Sequence, residues 1–296
     1  MFFSTAHFSF TTAFFLSGLA FAKLILLALE KGPLFPVPPN LLQFICVACF
    51  PIKLQKNPSP ENHNNLPKWV FPVKVFIFGA LLLKVYDYKQ YLPQNFLLAL
   101  YSLHIYLELE ISLTLIKFLV ALTLGCDLAP QFNEPYLATS LHDFWGHRWN
   151  LMISEILRLS VYLPIRKWRV KSSEWDSLLG IFATFLVSGA AHEFLYFYLM
   201  REKPSWEVSW FFVLHGFCTA AEVAVRRKTK LVQRWPLNPS VSRLLTVGFV
   251  FLTGVWLFSP QLIRNGLMER FTNEDLIFIE FFKRKLVILV GFFYKS

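Results

Sequence analysis

Apolar runs long enough to cross a lipid bilayer recur along this chain, and they constrain its fold more than any other feature. The least polar of them are residues 177–200, 208–225 and 241–258. One helical crossing of a bilayer needs about 20 apolar residues. Within hydrocarbon, only helices and closed barrels satisfy every backbone hydrogen-bonding group. We therefore expect an all-α, polytopic integral membrane protein.

The composition favours the same class. Of 296 residues, 55% are hydrophobic and only 16% are charged, whereas about 25% are charged in a typical soluble domain. No polar segment is long enough to build a soluble domain, so we expect 1–296 to form a single membrane-embedded domain. With the shorter apolar stretches included, the sequence predicts roughly six to eight membrane helices.

Several of these stretches carry ionisable residues. Residues 8–29 are interrupted by Lys23, whose ammonium group we expect to reach the membrane surface along its apolar stem. Residues 95–125 exceed one crossing and predict either one long tilted helix or a broken pair. Within them, His104 and Glu108 are four positions apart and share a helix face. That pair is either structural or lines a cavity.

Two apolar stretches are too short to cross. Residues 41–51 are expected to be re-entrant or interfacial. Residues 151–163 contain an acid and a base, which favours an amphipathic helix facing a cavity within the protein.

The net charge is +10, but the basic residues lie in short loops such as 166–167 and 226–228. Such clusters hold loops at an anionic lipid leaflet and set topology, so the expected partner is the bilayer and not a nucleic acid. A second use is to steer a polyanionic substrate such as a coenzyme A derivative. The oligomeric state stays open.

One histidine, His192, lies in the middle of the apolar run 177–200. An ionisable side chain at this depth needs a partner or a function. Ser188 precedes it by one helical turn and lies on the same face. Neutral imidazole is a suitable acceptor for a hydroxyl proton, although a structural hydrogen bond to a neighbouring helix is the alternative. His215 raises the same choice, between a tunnel-lining and a supporting role.

A second unusual segment precedes His192. Trp145 and Trp149 are four positions apart and form one apolar wall if the segment is helical. Arg148 can bind phosphate or pair with Asp143. Asn150 can stabilise an oxyanion or orient a hydroxyl. The alternative is an interfacial aromatic belt with an internal ion pair.

Other chemistries have little support. His142 and His147, near Glu134, match no zinc spacing, and the Cys46–Cys49 pair has no second ligand pair. Hence we expect no metal among these residues. Zincin, serine-hydrolase and nucleotide-binding motifs are also missing from the sequence.

Several segments together resemble the plant wax synthase family. These enzymes are long-chain-alcohol O-fatty-acyltransferases within the membrane-bound O-acyltransferase superfamily. The resemblance covers nearly the whole chain. The matching segments are residues 131–140 (QFNEPYLATS), 140–150 (SLHDFWGHRWN), 185–193 (FLVSGAAHE), 206–216 (WEVSWFFVLHG) and 254–258 (GVWLF).

The resemblance implies acyl transfer from acyl-CoA to a long-chain fatty alcohol, without a further cofactor, in the endoplasmic reticulum membrane. His192 takes the place of the catalytic histidine and Asn150 that of its partner. The remaining candidates for substrate contact are Trp145, Trp149, Arg148, Asp143, Ser188 and His215. A sterol acceptor is the alternative within the family, and a transporter or scaffold is the alternative outside it.

The chain departs from the family pattern in two ways. Members usually carry arginine in place of His147 and a bulkier pair in place of Ala190 and Ala191. They also tend to have an additional hydrophobic stretch before residues 8–29, so this chain is expected to be short at its N terminus.

Overall fold

The computed structural model describes residues 6–55, 69–168, 173–228 and 238–293. Within these ranges the chain is helical, and the strand-like pairing is limited to one isolated bridge between Leu54 and Leu128. The prediction of an all-α fold is therefore confirmed. The helices, numbered in chain order and given with their consecutive pieces, are α1 (Ala6–Thr11, Thr12–Leu19 and Ala20–Ala28), α2 (Leu41–Cys49), α3 (Val70–Ala80 and Leu81–Val85), α4 (Gln94–Leu124), α5 (Leu141–Asp143 and Phe144–Arg148), α6 (Leu151–Leu157, Arg158–Tyr162 and Leu163–Arg166), α7 (Glu174–Met200), α8 (Glu207–Lys228), α9 (Pro239–Thr253, Gly254–Phe258 and Ser259–Arg264) and α10 (Leu267–Phe293).

Three of the described helices are long and apolar enough to cross a membrane by themselves. They are α7, α8 and the combined pieces of α9, which together run over Pro239–Arg264. A shorter apolar helix covers Phe14–Ala28. The predicted total of six to eight membrane helices and the single-domain organisation stay predictions.

The long stretch 95–125 forms one helix, so the single-helix alternative is confirmed. This helix, α4, has 31 residues and ends at Gly125, which has a φ of +61°. A left-handed residue at this position ends a helix, and glycine adopts that conformation without a steric penalty. His104 and Glu108 do face each other, with Nε2 and Oε2 3.2 Å apart.

Lys23 corrects one expectation from the sequence. Its side chain does not reach the surface but is fully buried. The ammonium group donates hydrogen bonds to the carbonyl oxygens of Val47 at 2.6 Å, Phe50 at 2.6 Å and Ile52 at 3.3 Å. A cation at this end of a helix satisfies carbonyl groups that have no partner within the helix. Lys23 thus fixes the short helix α2 against α1.

Helices α7 and α8 pack closely because each presents a glycine to the other. A Cβ atom on Gly189 would lie 3.2 Å from the Cβ of Phe212, and one on Gly216 would lie 2.8 Å from the Cβ of Phe185. Small residues let membrane helices approach each other in this way. Gly189 and Gly216 therefore set the close spacing between these two helices.

Candidate active site

His192 lies in α7, and its ring has a defined orientation. Its Nδ1 atom is 2.8 Å from the carbonyl oxygen of Ser188, one turn earlier. A carbonyl oxygen can only accept, so Nδ1 carries the proton and the Nε2 atom of the neutral ring keeps its lone pair. The backbone of Ser188 therefore presents Nε2 as a proton acceptor.

Aromatic rings surround this histidine. The His192 ring lies 4.6 Å from the ring of Phe212 and 5.8 Å from that of Phe258, measured between centroids. Phe212 contacts Phe211, which in turn contacts Trp145 at 6.1 Å. Trp145 and His192 thus lie on one aromatic cluster, built from α5, α7, α8 and α9. Such a cluster offers apolar surface to a hydrocarbon chain.

Trp149 lies directly after α5, with an extended backbone. Its ring stacks on Phe144 at 5.6 Å and meets Phe132 edge-on at 5.3 Å. The rings of Trp145 and Trp149 are themselves 6.2 Å apart. The two tryptophan rings contact each other edge-on, although Trp149 lies beyond the helix on which the predicted wall depended.

Asn150 begins α6 with an unusual backbone. Its φ is +40°, a left-handed conformation that asparagine tolerates better than most residues. Its side-chain Oδ1 is buried and has no hydrogen-bond partner. Backbone hydrogen bonds hold both flanks, from Leu151 N to Gln131 O at 2.9 Å and from Asn133 N to Arg148 O at 2.9 Å. The unpaired Oδ1 is available to a ligand, because buried polar groups normally find a partner.

Arg148 is engaged by the protein. Its Nε donates to Oδ2 of Asp143 at 2.7 Å, and one terminal nitrogen donates to the carbonyl oxygens of Asn133 at 3.1 Å and Glu134 at 3.4 Å. Of the two roles that the sequence left open, this geometry favours the internal ion pair. The arginine closes the loop before α5 and so positions the segment that carries Asn150.

His215 is fully buried in α8, and both ring nitrogens have side-chain partners. Trp145 Nε1 donates to Nδ1 at 3.2 Å, and Nε2 lies 2.8 Å from the hydroxyl of Thr253. That hydroxyl donates to the carbonyl oxygen of Phe249, so His215 Nε2 is the donor towards Thr253. These contacts favour the supporting role of His215, because it orients Trp145.

Two further polar residues of α7 lie beside His192. Glu193 accepts hydrogen bonds through Oε1 from the backbone N–H and the hydroxyl of Ser209, each at 3.1 Å. It therefore binds the N-terminal end of α8 rather than serving as a base. Tyr196 lies one turn after His192, and its buried hydroxyl has no partner.

The histidines of α5 form a separate pair at the surface. The rings of His142 and His147 are 5.2 Å apart. Burial, and next the nearby His147, lower the pKa of His142 below its usual value. Glu134, a conceivable third ligand, instead accepts from the ammonium group of Lys74 at 2.8 Å.

Comparison with known proteins matches this part of the chain to a family model. Residues 128–214, which contain α5, α6, α7 and the start of α8, match the "Membrane bound O-acyl transferase family". Both His192 and Asn150 lie inside the matched region.

Relatives in Arabidopsis thaliana match over nearly the whole chain. "Probable long-chain-alcohol O-fatty-acyltransferase 6" is 79% identical over 99% of this chain and 85% of the relative. The relatives numbered 9 and 3 in the same series are each 56% identical, over 97% and 98% of this chain and 85% and 84% of their own lengths. The chain therefore belongs to the long-chain-alcohol O-fatty-acyltransferase family of membrane-bound O-acyl transferases.

Proposed function

We propose that this protein transfers a fatty acyl group from acyl-CoA to the hydroxyl group of a long-chain alcohol, with His192 as general base. The observation that carries the proposal is the hydrogen bond from Nδ1 of His192 to the carbonyl oxygen of Ser188. It leaves Nε2 as a proton acceptor within apolar aromatic surroundings. The relatives' names supply the class of acceptor.

The proposed chemistry needs no covalent enzyme intermediate, since a thioester is already an activated acyl donor. The alcohol oxygen attacks the thioester carbonyl while Nε2 of His192 takes the hydroxyl proton. The new C–O bond forms, the C–S bond breaks, and the proton passes to the departing thiolate of CoA. General-base catalysis of this kind contributes about 10²–10⁴-fold to the rate.

Asn150 is proposed to act on the acyl carbonyl. Its side chain carries the buried, unpaired Oδ1, and the NH₂ of the same amide is a donor for an oxyanion. The rigid backbone on both sides fixes that donor before substrate arrives, so no reorganisation is needed during the reaction.

The membrane setting suits both substrates. Exposed apolar side chains on α7 and α8, such as Phe194 and Phe217, face lipid, where the two hydrocarbon tails partition. The CoA phosphates stay in water, and the basic end of α8 at Arg226 and Arg227 attracts them electrostatically. We include residence in the endoplasmic reticulum in the proposal; co-fractionation with a marker of that membrane tests it.

The test is an acceptor panel. Microsomes containing the protein receive labelled acyl-CoA with hexadecanol, with a sterol or with neither, beside microsomes from the same host without the protein. Wax ester formed with hexadecanol is the expected result. Ester with the sterol alone would overturn the alcohol specificity, and no ester with either acceptor, in microsomes shown to contain the protein, would overturn the enzymatic proposal in favour of a transporter or scaffold.

A further inference from the structure

A cluster of titratable side chains lies away from His192, where α1, α4 and α10 meet. His7 comes from α1, His104 and Glu108 from α4, and Glu274 and Asp275 from α10. His104 is fully buried, and Glu108 and Asp275 have 17% and 18% of their side chains exposed. The mechanism proposed above uses none of these residues.

Six atoms of this cluster form a closed ring of contacts, and one ligand atom each from His7, Glu108 and Asp275 lie within 4.8 Å of one another. Nε2 of His7 lies 2.8 Å from Oε1 of Glu108 and 3.4 Å from Oδ1 of Asp275. Nε2 of His104 lies 3.2 Å from Oε2 of Glu108 and 3.7 Å from Oδ2 of Asp275. Zinc binds nitrogen and oxygen ligands tetrahedrally at about 2.0–2.2 Å, which sets neighbouring ligand atoms about 3.3–3.6 Å apart. The observed separations span that range.

Two buried atoms point into the ring without a hydrogen bond. They are Nε2 of His104 and Oδ2 of Asp275. A buried imidazole nitrogen beside two carboxylates either donates a hydrogen bond or binds a cation, since otherwise its desolvation is uncompensated. Nε2 of His104, whose 3.2 Å contact with Oε2 of Glu108 is not aligned as a hydrogen bond, is therefore evidence for a ligand and not only for an acidic cluster.

The outer nitrogens of both histidines are held as metal-ligating histidines usually are. Nδ1 of His7 lies 2.6 Å from a carboxylate oxygen of Glu274, and Nδ1 of His104 lies 3.0 Å from the hydroxyl of Tyr86. A second hydrogen bond of this kind fixes the tautomer that directs Nε2 towards the metal. In both rings Nε2 therefore faces the carboxylates of Glu108 and Asp275.

Charge favours a cation within this cluster as well. Three carboxylates face two imidazoles, so with every group ionised the cluster carries one more negative than positive charge. Within the described residues, no lysine or arginine forms an ion pair with Glu108, Glu274 or Asp275. Unbalanced charge between membrane helices is costly. A bound divalent cation would offset it.

We propose that His7, His104, Glu108 and Asp275 bind one divalent transition-metal ion, with Zn²⁺ as the representative. Imidazole and carboxylate ligands favour such an ion over Mg²⁺ or Ca²⁺, which prefer all-oxygen sites. Four protein ligands leave no open position, so the site is structural. It joins α1 and α10 to the middle of α4.

The experiment uses the full chain in lipid nanodiscs, stripped with a chelator, dialysed and then titrated with Zn²⁺ or Co²⁺. The expected result is one metal ion per chain by elemental analysis and a tetrahedral ligand-field spectrum with Co²⁺. Less than one metal ion per chain, or the spectrum of octahedral Co²⁺, would overturn the proposal. This test uses only the unaltered protein, so it does not depend on whether a variant folds.

Variants then assign the metal to these residues. H104Q and D275N should each lose stoichiometric binding, and Y86F, which keeps the ring but removes the hydroxyl, should weaken affinity about 10–100-fold. H142Q, which removes a histidine outside the cluster, is the matched control and should bind normally. Only monodisperse protein is compared. Binding retained by both H104Q and D275N, or lost from H142Q alone, overturns the assignment.

Discussion

The Nδ1 atom of His192 donates a hydrogen bond to the carbonyl oxygen of Ser188 at 2.8 Å, within a single turn of α7. Through this bond, the helix backbone fixes the tautomer of the candidate base. In many catalytic histidines a carboxylate has that role. A carbonyl adds no charge, which suits an imidazole placed among aromatic rings in a membrane helix.

H192Q is expected to lower kcat about 10²–10⁴-fold, because the amide can replace the bond to Ser188 but cannot accept the alcohol proton. The KM for the alcohol should change little. Initial rates with labelled acyl-CoA, normalised to protein in the membrane, measure the effect. H142Q is the control. A rate close to the unaltered protein's would exclude His192 as the base.

The N150G variant distinguishes the role of the Asn150 side-chain amide from the role of its backbone conformation. Glycine adopts the φ of +40° without strain, so the helix start is preserved while the side chain is lost. We expect kcat to fall about 10²–10³-fold, as for the removal of one oxyanion donor. N150A should give a lower yield of folded protein than N150G, because alanine is strained at this φ. Activity of N150G near the normal level would show that only the backbone conformation matters.

A double-mutant cycle tests the pairing of Arg148 with Asp143. D143N and R148Q should each lower the free energy of unfolding in detergent, with a coupling of about 0.5–3 kcal/mol between them. Any rise in the KM for acyl-CoA should be the same in the two single variants. A rise confined to R148Q, with no coupling energy, would instead assign the arginine to the CoA phosphates.

T253V tests the supporting role of His215. Valine matches the shape of threonine but leaves the buried Nε2–H of His215 without its acceptor at 2.8 Å. The free energy of unfolding should fall by about 1–3 kcal/mol, while the KM for the alcohol stays constant. A changed KM with unchanged stability would mean that His215 contacts the substrate.

The glycines between α7 and α8 allow a matched comparison. In G216A the added Cβ would lie 2.8 Å from the Cβ of Phe185, whereas in G248A it would meet nothing within 4 Å. We expect G216A to destabilise by about 1–3 kcal/mol through overpacking. G248A should be neutral or slightly stabilising. Size-exclusion profiles after heating compare the two; equal profiles would contradict the close packing.

Much of the fold follows from local patterns. The central residues of α7, α8 and α9 lie within apolar runs, and the length of each run alone predicts a membrane-crossing helix. The rings of Trp145 and Trp149, four positions apart in the sequence, contact each other. The likeness of residues 140–150 and 185–193 to a known family correctly indicated the family. In each case, residues close in sequence carry the information.

The sequence by itself thus determined the membrane class, the principal spans and the family, because helical periodicity and hydropathy are properties of neighbouring residues. Only the tertiary structure decided the partners of the polar groups. It buried Lys23 against Val47 and placed His7 beside Glu274, 267 positions away. Membrane helices contain few polar groups, and each must find a partner wherever packing provides one. Which partner that is depends on how helices distant in sequence pack together, and no local pattern records it.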